Sequence, residues 1–300
     1  VFLLKKLFSL LLAASLCFTL ASCGETEATP ASSEEEKTSV TLTVNEETAT
    51  GEKSASLAVD TALKAGTVVT AAVTGTKYLT LEYFGLPKTI VYVPNGTYVF
   101  TVPQKGHQKD YPDGTFTSPC TLTASVPNKE EITASRLISV NPYDLKDNTA
   151  YPHATTNNEY NNGNDPDFWV RNAIDGFTDN DSHGSYPHQS WGPERVDTVE
   201  CAVDFGRAVA VSEITIFVRA DFPHDIEWAS CDVCDENGTV LKTLEFTHTK
   251  DGQVFTFDAP VTVTKLTFKN MQSKEANKSE GSRKWVGFTE ISVTGYDTLL

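Results

Sequence analysis

Over residues 40–134 and again over 200–294 the chain alternates apolar and polar residues in short runs separated by Gly, Pro, Asn and Asp, and helical periodicity is nearly absent. A period of two sends successive side chains to opposite faces of an extended strand, so such a chain folds into layered sheets. The early runs are 40–44, 54–59, 67–73, 78–84 and 89–93. Residues 90–102 predict a hairpin around Asn95-Gly96, because Asn-Gly accepts the positive φ angles of a tight primed turn.

Many short strands at regular spacing predict sandwiches, and the chain is therefore read as all-β. An immunoglobulin-like β-sandwich is expected over residues 38–134, with a Gly/Pro/His-rich loop at 103–119 before its last strand. It carries no catalytic pattern and reads as a structural spacer. From Ser135 to about Arg195 the composition shifts to Asn, Asp, Tyr, Trp and His. Strands then return at 200–205, 209–218, 230–234, 240–246, 254–257, 261–268 and 288–294, with turns at Asn237-Gly238 and Asp251-Gly252 predicted to link neighbours into hairpins. A loop as long as 135–195 inside a compact domain is more often functional than filler.

The 300 residues carry 24 Lys and Arg against 40 Asp and Glu, a formal charge of −16. That excess excludes nucleic-acid binding, which depends on clustered Lys and Arg. Lys5 and Lys6 precede an apolar run from Leu7 to Leu20, too short for a comfortable membrane span and read as a secretory signal over 1–22. The run ends Leu20-Ala21-Ser22-Cys23-Gly24, which resembles the lipobox of bacterial lipoproteins and marks Cys23 for lipidation; the plainer reading is a signal peptide with a chance cysteine. Residues 23–37 form a polar acidic stretch expected to be a disordered tether. Of the remaining cysteines, Cys231 and Cys234 have redox or zinc spacing, but they sit in an alternating run and no second such pair completes a zinc site, so ordinary packed thiols are favoured.

Four motifs of the second half occur in a recognisable order. They are Asn172-Ala173-Ile174-Asp175-Gly176; Ser190-Trp191-Gly192; Cys201-Ala202-Val203-Asp204-Phe205-Gly206-Arg207 with the apolar run 211–218; and Gly287-Phe288-Thr289-Glu290-Ile291-Ser292-Val293-Thr294-Gly295. Together they resemble the coagulation factor V/VIII type C, or discoidin, family of galactose-binding-like jelly rolls, to which many bacterial carbohydrate-binding modules belong. The resemblance covers residues 135–297 and implies a discoidin-like carbohydrate-binding sandwich over 135–300. The interval from Asp175 to Trp191 is longer than usual in that family, and the cysteine pair that brackets animal members is missing.

The resemblance implies a structural calcium between the Asp175 loop and Glu290, with Asp179 and Asp181 as further candidate ligands. Calcium takes six to eight hard oxygens, which a loop rich in Asp, Asn and carbonyls supplies; the alternative is that these residues only form turns. A saccharide needs an aromatic face and a few planar polar groups. Candidate ligand-binding residues are His183, Tyr186, Trp191, Arg219, Asp221, His224 and Asp225. Arg219 serves either vicinal hydroxyls or a structural ion pair with a neighbouring Asp, and Trp169 and Trp191 either stack on ligand or pack in the core. His183, His188 and His224 could together hold a transition metal, His183 or His224 could contact sugar, and the remaining reading is turn or packing roles.

No Gly-x-Ser-x-Gly, phosphate-cradling loop or Rossmann fingerprint is present. The reading is a monomeric, non-catalytic lipoprotein of the bacterial cell surface, lipid-anchored through Cys23, whose calcium-stabilised jelly roll binds glycans. Two alternatives stand beside it: a glycan-active hydrolase or lyase using His183, Asp221, His224 and Asp225, and a protein-binding adhesin. Residues 159–204 carry ten acids against Arg171 and Arg195, which favours a cation site beside a pocket for a neutral ligand.

Overall fold

The computed structural model describes residues 37–117, 119–146, 150–194, 198–219, 226–275 and 286–298. The leader, Cys23 and the tether as far as residue 36 lie outside them, as do Asp221, His224 and Asp225. Residues 36–300 form one compact unit. It is all-β and antiparallel, apart from the short helix α1 (Lys129–Thr133) and a few 3-10 turns.

The first sandwich has two four-stranded sheets. One contains β1 (Ser39–Val44), β2 (Glu47–Gly51), β4 (Val68–Thr74) and β7 (Thr97–Thr101) in the order β2-β1-β4-β7. The other contains β3 (Ser54–Val59), β5 (Tyr78–Glu82), β6 (Thr89–Tyr92) and β8 (Cys120–Ser125) in the order β3-β8-β5-β6. The alternation in the sequence is the burial pattern: Val40, Leu42 and Val44 of β1 face Leu79, Leu81 and Leu122 across one core, while the intervening threonines pair with β2 on the outside.

The turn at Asn95-Gly96 differs from the expected hairpin. Its i to i+3 hydrogen bond runs from Gly96 N–H to Val93 O at 2.9 Å, so Pro94 and Asn95 occupy the centre and the positive φ of 70° falls on Gly96, after it. Pro94, with φ preset and no N–H, shifts the turn by one residue. The chain crosses to the opposite sheet, where β7 pairs with β4 instead of β6.

The second sandwich is one seven-stranded ladder built on two long bent strands, β11 (Cys201–Val218) and β14 (Gln253–Glu275). With β9 (Arg136–Leu137), β12 (Ile226–Cys234), β13 (Val240–Glu245) and β15 (Phe288–Asp297) the order is β13-β12-β14-β11-β15-β9, and β10 (His153–Thr156) pairs with the start of β11. Bulges at Asp204/Val209 and Val211/Glu213 join what the sequence separates into two strands, bending β11 around a core that includes Ile214, Ile216, Trp191 and Phe288. Asn237-Gly238 makes the expected β12–β13 hairpin. Asp251-Gly252 does not, because β14 leaves it to pair with β11 and β12 rather than with β13. Cys120, Cys201, Cys231 and Cys234 are free thiols.

The two sandwiches share a seam. Tyr143 lies wholly buried in the first core; its hydroxyl accepts from Tyr83 N–H at 2.9 Å, and its carbonyl accepts from Tyr98 Oη at 2.5 Å. Asp297 at the end of β15 takes Arg136 at 2.7 Å, Arg207, and the Tyr78 hydroxyl at 2.9 Å, while the Arg207 guanidinium lies over Tyr78 and Tyr92. Burial pushes the Asp297 carboxyl up, but Arg207 and Arg136 outweigh it and hold it below the usual range. Asp297→Ala strands the buried Arg207 guanidinium, removes the partner of half-buried Arg136 and is expected to cost about 3–5 kcal/mol in urea unfolding at pH 7. A carboxyl with a depressed folded pKa stabilises above its unfolded value of about 3.9 and loses that contribution as pH falls through the folded one, so the gap between parent and variant narrows in acid.

Candidate functional site

A groove of about 360 Å³ opens on the second sandwich, built from β10, the loop from Asn157 to Gly163 and the 3-10 segment Val170–Ile174. Its aromatic wall is Trp169, half-buried, with indole Nε1 donating to Gly163 O at 2.8 Å. Asn161, Asn162 and Gly163 all have positive φ, which turns the chain tightly enough to present that carbonyl. Gly163 has a φ of 72°, which L side chains rarely adopt, and a Cβ there would also push aside the ends of Glu159 (Oε2 at 2.7 Å) and Lys146 (Nζ at 2.8 Å).

Polar groups line the rest in fixed pairs. His153 Nδ1 is 2.8 Å from Asp144 Oδ1, and Ala154 N–H donates to Asp144 Oδ2 at 2.9 Å. Lys146 Nζ donates to Glu159 Oε2 at 2.8 Å, and Val170 N–H donates to Glu159 Oε1 at 3.0 Å. Burial pushes the Asp144 carboxyl above its ordinary value despite His153 and Arg171. Asn157, Asn158 and Asn162 add amides to the rim. Arg171, 5% exposed, also lines the groove, and its Nε–H has no acceptor.

Arg171 is held from behind by the first sandwich. Its Nη2 is 3.3 Å from Asp110 Oδ2, and its guanidinium lies 4.7 Å over the Tyr111 ring. Burial and a hydrogen bond with Asp167 push the Asp110 carboxyl up to about 8, against Arg171. The Oδ1 atoms of both Asp110 and Asp167 are buried without a donor, and burial favours the protonated form of Asp110.

The residues singled out in the sequence do not form one cluster. Trp191 is fully buried, its ring 5.7 Å from Phe288 and its Nε1 donating to Asn158 O, so it is a core residue rather than a stacking platform. Arg219 is 4% exposed, and its backbone N–H donates to Gly287 O. Tyr186 is 36% exposed, edge-to-face with Phe177. His183 lies against Phe168 at 6.3 Å. None of these lines the groove.

Of the four carboxylates proposed for calcium, two meet. Asp175 and Glu290 are both buried; Gly176 N–H donates to Glu290 Oε2 at 3.1 Å, and Gln189 Nε2 donates to Asp175 Oδ2 at 2.9 Å. Burial pushes the Asp175 carboxyl up to about 7, and burial together with Asp175 pushes Glu290 well up. Asp179 instead stands 3.0 Å from His188 Nδ1, and exposed Asp181 pairs with Lys250. Among the described residues no three His, Cys, Asp or Glu side chains converge as a metal group. The pair still suits a hard cation, because buried Asn172 Oδ1 and Gln189 Oε1 in the same stretch of chain also lack donors and are neutral oxygens of the type calcium takes.

No family model matches the chain, and no curated protein matches it by sequence. Among solved structures it is similar to the family 32 CBM of C. perfringens NanJ in complex with galactose, at 20% identity and a TM-score of 0.35 over 47% of this chain and 91% of that one. It is also similar to a chitosan-binding module from a chitosanase/glucanase of Paenibacillus sp. IK-5, at 15% identity and a TM-score of 0.35 over 54% and 100%. A fucose binding module of Streptococcus pneumoniae matches at 12% identity and a TM-score of 0.35 over 53% and 96%.

Two outcomes follow from the geometry. Trp191→Ala is expected to lower stability by about 3–5 kcal/mol, read by urea unfolding, as for any large core aromatic. Asp110 is protonated in the folded chain up to about pH 8 and ionises near pH 4 when unfolded, so its contribution makes stability fall as pH rises between those values. Unfolding midpoints of Asp110→Asn, which needs no proton, should depend less on pH from 5 to 8 than those of the parent; equal slopes would contradict a protonated Asp110.

Proposed function

We propose that the protein is a non-catalytic glycan-binding lipoprotein displayed on the bacterial cell surface, anchored through Cys23, and that the Trp169 groove holds a neutral saccharide. The observation that carries this reading is the lining of that groove: one half-exposed indole beside a set of fixed, planar polar groups. The indole face suits the apolar side of a pyranose, while amides, an imidazole and a guanidinium N–H match hydroxyls that both donate and accept. Each basic group in the lining stands beside a carboxyl: Lys146 with Glu159, His153 with Asp144 and Arg171 with Asp110. These pairings hold the polar groups in place for a ligand recognised through hydroxyls.

The same pairs support a binding role rather than hydrolysis. A glycosidase needs a carboxylic acid and a second carboxylate facing the scissile bond. Here all four oxygens of Asp144 and Glu159 already have partners in His153, Ala154, Lys146 and Val170. Calcium, held by Asp175 and Glu290, would neutralise two buried carboxylates and join the loop at Gly176 to β15. Its contribution is electrostatic and structural.

Galactose, fucose and chitosan oligosaccharide are the first probes, with binding measured by calorimetry. Trp169→Ala is expected to weaken the probe that binds by about tenfold or more, with an unfolding midpoint close to the parent's. Equal affinity in that variant would remove the groove as the site. Reducing ends appearing over time in the bound mixture would replace binding by hydrolysis. Calcium added after chelation should raise the thermal midpoint of the parent and leave that of Glu290→Gln unmoved.

A further inference from the structure

The loop at 103–119 belongs to the first sandwich by sequence and by anchorage, since Tyr111 and Phe116 are buried in that core. Between these anchors and β7 it reaches the groove wall of the second sandwich. The His107 imidazole stands edge-to-face with the Trp169 indole, centroids 5.0 Å apart. Lys109 Nζ lies 3.1 Å from Asp165 Oδ1 and 2.8 Å from Asp167 Oδ2, and Lys109 O accepts from Tyr186 N–H at 2.9 Å. Asp110 and Tyr111 hold the Arg171 guanidinium from below and from one face.

These contacts fall on the segment that supplies the groove's aromatic wall and its Arg171. Asp165 opens the 3-10 turn Pro166–Phe168, which leads directly into Trp169. An edge-to-face ring contact contributes about 0.5–1.5 kcal/mol beyond burial, enough to select one indole orientation. Tyr111 presents a broad face to a planar cation, which fixes the tilt of the guanidinium as well as its position.

We infer that His107, Lys109, Asp110 and Tyr111 of the first sandwich are positioning residues for the groove, so that saccharide selectivity is set jointly by the two sandwiches. The inference rests on the glycan-binding reading. It replaces the role of spacer with that of a strut, because the loop transmits the rigidity of one core to a binding wall carried by the other.

The test uses the full chain with His107→Ala and Lys109→Ala, substitutions at half-buried and exposed positions that leave both cores intact. The first readout needs no ligand: the indole N–H resonance of Trp169 and its exchange with solvent. Both variants should shift the resonance and speed exchange, and His107→Phe, which restores a ring edge, should return them towards the parent. The second readout is affinity for galactose, fucose and chitosan oligosaccharide. The expected result is a loss of about 2- to 10-fold that is unequal among the probes and recovered by His107→Phe. An unmoved indole in both alanine variants overturns the strut. A moved indole with parental affinities overturns its role in selectivity. A parent that binds none of the three probes overturns the glycan reading and the selectivity claim with it, while the indole shift still decides the mechanical contact.

Discussion

A single buried cation organises the groove and the elements around it. Arg171 is 5% exposed, and Asp110, Asp144, Asp175 and the Tyr111 ring all act on its charge. Burying a guanidinium is tolerable only with excellent geometry, and here carboxyl groups approach it from three directions, Asp110 accepting from Nη2 through Oδ2. Asp110 arrives from the first sandwich and braces the groove wall. Asp144 comes from the seam and orients His153, while Asp175 lies on the loop opposite Glu290 and faces that second acid. The shared cation makes the three carboxylates interdependent, because displacing it changes the field at each of them.

The seam between the sandwiches repeats this logic with the signs reversed. Asp297 is a buried anion served by two guanidinium groups and a phenol, and burial with Asp297 pushes the Tyr78 hydroxyl up to about 12. Tyr143 adds a hydrophobic plug whose polar tip is satisfied by the first sandwich's backbone. Neither device resembles a linker between independent beads. The side chains at the junction are too well buried and too well paired for free swivelling.

The strands were largely legible, because alternation is a local property and burial follows it directly, as β1 and β4 illustrate. The connections were less so. Asn95-Gly96 has the composition of a primed hairpin, yet Pro94 moves the turn frame and sends the chain to the other sheet. The gap between 205 and 209 looks like a strand break and is a bulge within β11. The candidate site was legible as a region and not as residues. Asp175 and Glu290, far apart in the chain, were paired through the motif resemblance and do meet. Trp191 was chosen for its place in a polar loop, where nothing local distinguishes a core tryptophan from an exposed one. Trp169 and His153 stood in the same aromatic stretch; what sets them apart is the left-handed run at Asn161-Asn162-Gly163 and the partner Asp144. The loop at 103–119 gave no local sign of its reach, since contact with residues 165–171 is a property of the assembled pair.

The burial of Tyr143 bears on how the chain can be divided. The boundary suggested by composition, at residues 134 and 135, assigns this tyrosine to the second half although its ring completes the core of the first. Separating the halves there would leave one piece with a void lined by Tyr83, Tyr98 and Phe100, and the other with an aromatic side chain and several charged groups stripped of their partners. The second sandwich is better regarded as half of a two-piece joint, in which a graft or a trimmed fragment must carry both faces to keep either one whole.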